Sequence, residues 1–203
     1  MYKTVVFDLD GTLLNTLTDL ADAGNRLCRQ SGWPTHERQA YRYFVGNGIP
    51  KLVERLAPAD QRTPAVLEAA LADFKRDYGQ HLRDTTAPYP GIPEMLAKLK
   101  ANGVQLAVFS NKADALAKEV VKDYFGTQYF TIVRGQMTGV APKPAAEGTN
   151  ALLQALHADP ASTLYVGDSN VDVETAHNAN LPCCGAVWGF RTREELNAAG
   201  AEY

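Results

Sequence analysis

Cysteine is scarce in this 203-residue chain, which carries only Cys28, Cys183 and Cys184. Three thiols cannot build a disulfide framework, and their spacing is not that of a metal site. They are expected to be core or loop thiols in a reducing, cytoplasmic setting. The four histidines, His36, His81, His157 and His177, are scattered and define no zinc site. No apolar run approaches the ~20 residues of a membrane-spanning helix. There is no run of Lys and Arg, and a formal charge of −3 leaves no basic surface for nucleic acid. The opening MYKTVVFDLDG enters a strand directly, without a cationic, apolar, cleavable leader. Fixed-period repeats and low-complexity tracts are also absent. The 45% hydrophobic content and the length suit a globular chain with one substantial domain and a smaller insertion. The chain is expected to act as a monomer or a homodimer.

The informative stretch is residues 3–14, KTVVFDLDGTLL. Val5, Val6 and Phe7 read as a buried strand that runs into Asp8, with Asp10, Gly11 and Thr12 close behind. Buried carboxylates are costly unless something pairs with them. The carboxyl end of such a strand is where open α/β sheets bind ligands. A calcium loop counted from Asp8 fails, because the glycine falls at the fourth position and Asp19, not glutamate, at the twelfth. A plain turn with solvated acids would suit an isolated Asp-x-Asp.

Matching patterns recur downstream. LAVFSNK (106–112) and TLYVGDSNVD (163–172) are apolar strands that end in polar residues, and between them a lysine is framed by prolines in APKP (141–144). The order DxDGT, then serine at a strand end, then lysine, then GDxxxD resembles the motif set of the haloacid dehalogenase superfamily. It spans roughly residues 3–193.

The helical spacing of Leu17, Leu20, Ala21, Gly24, Leu27 and Cys28 predicts a helix after Leu14. A second helix is expected over 36–45 and a third after Pro50. A long stripe runs from Val66 and Leu67 through Ala70, Leu71, Phe74 and Tyr78 to Leu82. Residues 15–84 thus read as an all-helical inserted cap domain. The remainder alternates: helix 93–101, strand 104–109, helix 112–124, strand 129–133, helix 147–157, strand 164–166, helix 172–179 and strand 186–188. This pattern predicts a discontinuous α/β core of residues 1–14 and 85–203. Its sheet is expected to be Rossmann-like and mainly parallel, with helices on both faces.

The resemblance assigns roles to residues. Asp8 is the implied nucleophile, forming an aspartyl-phosphate, and Asp10 the implied acid and base. Lys143 would offset the charge of the phosphate and the aspartates. Ser110, with Asn111 and Thr12, would hold phosphate oxygens, aided by a helix start after Ser110. Mg²⁺ would be held by Asp8, by the backbone carbonyl of Asp10 and by Asp168, with Asp172 acting through water or as an orienting group. An all-oxygen set without histidine or cysteine suits that ion. Dehalogenases lack an acid two residues after the nucleophile, so Asp10 favours a phosphate-ester enzyme.

Within the superfamily, VGNGIPKL (45–52) and PYPGI (89–92 and the residue before) resemble phosphoglycolate phosphatases. Gly48 is a candidate substrate contact in the Gly46-Asn47-Gly48 turn, with Arg42 and Lys51 as nearby cations. The chain departs from that subgroup at Asn15, where aspartate is usual, in the PAAEGTNALL segment after Lys143, and at its GAEY ending. The implied activity is a Mg²⁺-dependent phosphatase for a small phosphorylated metabolite, foremost 2-phosphoglycolate. A β-phosphoglucomutase-like mutase, a pyrophosphatase and a catalytically silent phosphate-binding module are the alternatives.

Overall fold

The computed structural model describes residues 1–203. In chain order, β1 (Thr4–Phe7) and the two-residue β2 (Leu14–Asn15) precede helices α1 (Leu17–Ser31), α2 (Arg38–Phe44), α3 (Ile49–Leu56) and α4 (Pro64–Gln80). The two-residue β3 (Ala87–Pro88) leads to α5 (Ile92–Ala101), β4 (Gln105–Ala113), α6 (Asp114–Phe125) and β5 (Phe130–Gln136). The chain closes with α7 (Ala146–Leu156), β6 (Thr163–Gly167), α8 (Asn170–Asn178), β7 (Cys183–Gly185) and α9 (Arg193–Ala199). Two compact units result, residues 1–15 with 88–203 and residues 16–87. The exit from the first unit lies one residue later, and the return three residues later, than the hydrophobic patterning suggests.

The first unit is a five-stranded parallel sheet in the order β5-β4-β1-β6-β7. β1 is central, and its neighbours β4 and β6 come from opposite windings, so the strand order reverses beside it. Alternate residues serve the two faces, as the period of two requires. Val6, Ala107, Phe109 and Tyr165 join Leu152, Leu153, Leu156, Val173, Ala176 and Leu196 in one core cluster. On the other face Phe7 packs edge-on to Phe130, which meets Phe125 of α6 in the same way.

Two expected elements are corrected. Strand 186–188 is found instead at Cys183–Gly185, and Gly189 N–H turns back to the carbonyl of Ala186. The tight exit from α8 delivers Leu181 and Pro182 to the sheet early: Tyr165 N–H already donates to the carbonyl of Pro182, so pairing begins at Cys183. Lys112, expected in a helix, lies in β4, which runs on to Ala113. Pairing with β5 keeps Lys112 and Ala113 in the strand, and the helix begins at Asp114.

The second unit is helical. Leu20, Leu27, Trp33, Tyr41, Leu52, Val53, Leu56, Ala70, Phe74 and Tyr78 fill its core. Val66 is exposed, so the buried stripe of α4 starts at Ala70. Gly24 on α1 makes room for Tyr41, since a Cβ there would lie 2.5 Å from the tyrosine ring. Asp19 closes the unit: its carboxylate accepts the N–H groups and both hydroxyls of Thr85 and Thr86 at 2.5–2.9 Å.

Candidate active site

Phe7, Val108 and Val166 stand level across three neighbouring strands. Just beyond them come Asp8, the Ser110-Asn111-Lys112 segment and Asp168, so the parallel register itself gathers these residues at one edge. Asp8 keeps the ladder going by donating its N–H to the carbonyl of Val166 at 2.8 Å.

Lys143 is the hub of the cluster. Its ammonium donates to Asp8 Oδ1 at 2.8 Å, Asp172 Oδ1 at 2.7 Å, the Tyr165 hydroxyl at 3.1 Å and the Phe109 carbonyl at 3.3 Å. Burial works against the lysine's charge, but Asp172 and Asp8 outweigh it and hold its pKa well above the usual lysine range. Burial pushes the Asp8 carboxyl up to about 7; Lys143 opposes the rise, while Asp172 and Asp10 add to it. The Asp168 carboxyl is likewise driven well above the ordinary carboxylate range, by burial first and then by Asp172 and Asp8.

Each acid has a fixed orientation. Asp168 accepts Thr12 Oγ1–H at 3.1 Å on one oxygen and Phe190 N–H at 2.7 Å on the other. Two glycines let backbone close on it: a Cβ at Gly11 would lie 2.3 Å from Asp168 Oδ2, and one at Gly189 would lie 2.2 Å from Asp168 Cβ. Asp172 Oδ2 accepts the N–H and the hydroxyl of Ser169, the N-cap of α8. Thr12 is thus brought to the cluster, with its hydroxyl directed to Asp168.

The SNK segment is a bulge. β4 and β5 pair at Phe109↔Arg134 and again at Ala113↔Gln136. Three residues of β4, Ser110, Asn111 and Lys112, therefore face a single residue of β5, Gly135. Gly135 permits this crowding, since a Cβ there would meet the Lys112 carbonyl at 2.4 Å. Bulges re-aim side chains, and all three residues are buried. Ser110 therefore sits inside a strand, not at the expected helix start, because α6 begins only at Asp114. Its Oγ accepts Lys112 N–H at 3.2 Å. Asn111 directs its side-chain amide to the backbone of Lys143.

The Gly46-Asn47-Gly48 turn belongs to the second unit, with positive φ at both glycines (112° and 83°). Gly48 is the N-cap of α3. Lys51 is paired with Glu54. The cation that organises the turn is Arg55, which donates to Asn47 Oδ1 and to the carbonyls of Tyr43 and Phe44.

Sequence reasoning passed over Lys112, Tyr165, Phe190 and Arg55. A tyrosine within a buried strand needs a partner for its hydroxyl, which was a usable sign for Tyr165. Lys112 closes the marked stretch LAVFSNK, but its sequence pattern points to the start of a helix. Phe190 acts through its N–H, which its side chain does not announce.

Asp8, Asp168 and Asp172 bring carboxylate oxygens within 4.8 Å of one another. The donor set is all oxygen, the hard ligation that Mg²⁺ takes. The carboxylates of Asp8, Asp10, Asp168 and Asp172 face the ammonium groups of Lys112 and Lys143. That formal excess of two negative charges is what a divalent cation matches. The residues present therefore fit the ion. Asp10 directs its carboxylate to Lys112 and stands outside the three-acid set.

The haloacid dehalogenase-like hydrolase family model matches residues 5–186. A phosphoglycolate phosphatase of Thiobacillus denitrificans is 31% identical over 191 residues, covering 93% of this chain and 84% of that protein. One from Neisseria meningitidis is 33% identical over 191 residues, covering 93% and 81%. The crystal structure of a candidate phosphoglycolate phosphatase from Lactobacillus delbrueckii superposes with a TM-score of 0.92 at 29% identity, covering 98% of this chain and 92% of that one. Likeness of this extent agrees with the acid cluster built above. The chain belongs to the haloacid dehalogenase-like hydrolases, as a magnesium-dependent phosphatase that acts through an aspartyl-phosphate on a small phosphorylated metabolite.

Proposed function

We propose that the chain hydrolyses 2-phosphoglycolate, with Asp8 as nucleophile and Asp10 as acid and base. The observation that carries the site reading is Lys143, held between Asp8 and Asp172 at 2.8 and 2.7 Å at the carboxyl edge of the sheet. A buried cation there offsets the charge that a phosphate dianion brings to an acidic site. Bound Mg²⁺, held by Asp8, Asp168 and the Asp10 carbonyl with Asp172 in support, would supply further neutralisation of the phosphate oxygens. Asp8 attacks phosphorus, and the ester oxygen departs with the proton of Asp10. The Asp10 carboxylate then takes a proton from water, whose oxygen displaces Asp8. Ser110, Asn111 and Thr12 shape the phosphate site. In this reading Asn111 acts by holding Lys143 and Thr12 by holding Asp168.

The names of the curated relatives support 2-phosphoglycolate as the ester. The helical unit, through Gly48 and its turn, is assigned the choice of leaving group. The three unpaired thiols suit a reducing cytoplasm.

The test is phosphate release from 2-phosphoglycolate and pyrophosphate, and conversion of β-glucose 1-phosphate to glucose 6-phosphate, each with Mg²⁺. The highest kcat/KM is expected on 2-phosphoglycolate, and Asp8→Asn should abolish turnover with its unfolding profile preserved. Preference for either other substrate selects the mutase or pyrophosphatase reading. Near-normal release by Asp8→Asn would remove the covalent mechanism, and no turnover of any ester by the intact chain would leave a binding module.

A further inference from the structure

Lys112 buries its ammonium, with a side chain only 2% exposed, against Asp10, whose side chain is 14% exposed. The contact is forked, at 3.2 Å to Oδ1 and 3.5 Å to Oδ2. The site's two buried lysines divide its acids: Lys143 takes Asp8 and Asp172, and Lys112 takes Asp10. Burying an ammonium is costly unless it is well paired, so this placement needs a return. The bulge provides the means. Three residues opposite Gly135 turn Lys112 inward, where a regular strand would alternate its direction, and its N–H is tied to Ser110 Oγ at 3.2 Å.

We propose that Lys112 is a positioning residue that fixes the Asp10 carboxyl for proton transfer to the leaving oxygen. The inference rests on the acid–base reading of Asp10. In the first step the bond from Asp8 oxygen to phosphorus forms as the ester P–O bond breaks. The electron pair of that bond stays on the leaving oxygen, which receives the Asp10 proton. Asp10 is left as a carboxylate facing the Lys112 ammonium. Water then gives a proton to Asp10 as its oxygen bonds phosphorus, and the Asp8–phosphorus bond breaks with its electron pair returning to Asp8. Both halves need Asp10 in one place, because proton transfer requires hydrogen-bond reach to the moving proton. A carboxyl gripped at both oxygens has lost the rotation that would carry it out of reach.

The prediction separates esters by leaving group. p-Nitrophenyl phosphate releases a phenolate that needs little protonation, whereas 2-phosphoglycolate releases an alkoxide that needs it. With Mg²⁺ present, Asp10→Asn and Lys112→Met should each lower kcat/KM, which reports only the steps up to loss of the leaving group, at least about tenfold more on 2-phosphoglycolate than on p-nitrophenyl phosphate. Lys112→Arg should recover part of that difference. Adding Lys112→Met to Asp10→Asn should not widen it. Inorganic phosphate binding, measured by calorimetry, should change less than about threefold in Lys112→Met. If Lys112→Met does not fold, Lys112→Gln and Lys112→Arg carry the same comparison. An equal fall of kcat/KM on both esters in the Lys112 variants, or a large loss of phosphate binding without a leaving-group difference, would make Lys112 a structural or phosphate-binding residue and overturn the proposal. A leaving-group difference in Asp10→Asn that is missing from the Lys112 variants removes this inference alone. Its absence from Asp10→Asn itself removes the acid–base reading and this inference with it.

Discussion

Asn111 and Lys143 are joined twice. The Asn111 side-chain nitrogen donates to the Lys143 carbonyl at 3.2 Å, and Lys143 N–H donates to Asn111 Oδ1 at 2.8 Å. An asparagine amide can pair with both backbone groups of one residue at once, so the bulge of β4 holds the loop that carries the central lysine. Asn111→Ala would take this partner from the Lys143 N–H and C=O in a buried setting, at a cost of about 1–3 kcal/mol. The expected result is a lower urea midpoint and, with Lys143 in its proposed role, a fall in kcat of about tenfold or more, since a displacement near 1 Å in a reacting site is costly. Unchanged kcat would mean that Lys143 is held well enough without it.

Lys143→Met should be more damaging. It leaves Asp8 and Asp172 buried without their cation, a loss of about 3–5 kcal/mol at neutral pH. Turnover should fall by about 10²–10³ or more. The stability deficit should shrink at pH 5, where Asp8, raised to about 7 by burial and freed of the lysine that opposes the rise, takes up a proton. A deficit independent of pH would argue that the lysine's methylenes, not its charge, are what the core needs.

Metal and pH are linked with a definite sign. The folded chain raises the carboxyl pKa of Asp8 to about 7 and also raises that of Asp168, by burial first. Unfolded, both return to about 4. Between about pH 4 and 7 the folded chain therefore keeps protons that the unfolded chain has released, so stability falls as pH rises. Lys143, raised above its usual range, contributes evenly across that window and loses its contribution only at alkaline pH. In chelator, the part of Tm due to these acids should decline from pH 5 to 7.5. Saturating Mg²⁺ should cancel the decline, because it binds the ionised, folded cluster. Differential scanning with Asp168→Asn as the control isolates this part, and a metal-free decline that the variant leaves undiminished would refute the linkage.

Gly189→Ala tests the close approach at Asp168. The added methyl would lie 2.2 Å from Asp168 Cβ and 2.5 Å from the Gly11 carbonyl, and one of them must move. Phe190 N–H, which fixes Asp168, shifts with it. Loss of such an outer contact typically weakens metal binding about 10–100-fold. Calorimetric titration with Mg²⁺ should show this loss, and a wild-type dissociation constant would show that the loop yields freely.

Asp19→Asn addresses the helical unit alone. One side-chain oxygen becomes a donor facing the donors of Thr85 and Thr86. The expected cost is about 1.5–3 kcal/mol, with faster amide exchange at Thr85 and Thr86. Exchange rates matching the parent would mean that other contacts hold this return segment.

The course of the sheet was legible because its evidence is local. Apolar runs that end in acids or serine mark strand ends, and parallel pairing sets those ends level, so Asp8, Ser110 and Asp168 had to approach one another. Leu20, Phe74 and Tyr78 showed their inward face by helical period alone. Boundaries were less legible where pairing competed with propensity. Val187 and Trp188 have the composition of a strand, yet Cys183–Gly185 form it, because the exit from α8 sets where pairing begins.

Which charges meet is a different kind of information. In sequence Lys112 is a polar residue ahead of a helix-forming run, and its local preference points to solvent. Only the pairing of Ala113 with Gln136, with Gly135 as the single residue opposite the bulge, keeps it in the strand and turns it toward Asp10. Phe190 likewise reaches Asp168 through a backbone group that every residue but proline possesses. The amino-acid sequence determined the acids, their strand ends and the ion they suit, because these follow from residue type and short-range order. The tertiary structure decided how the acids are shared between two lysines, because that depends on pairing between segments far apart in the chain.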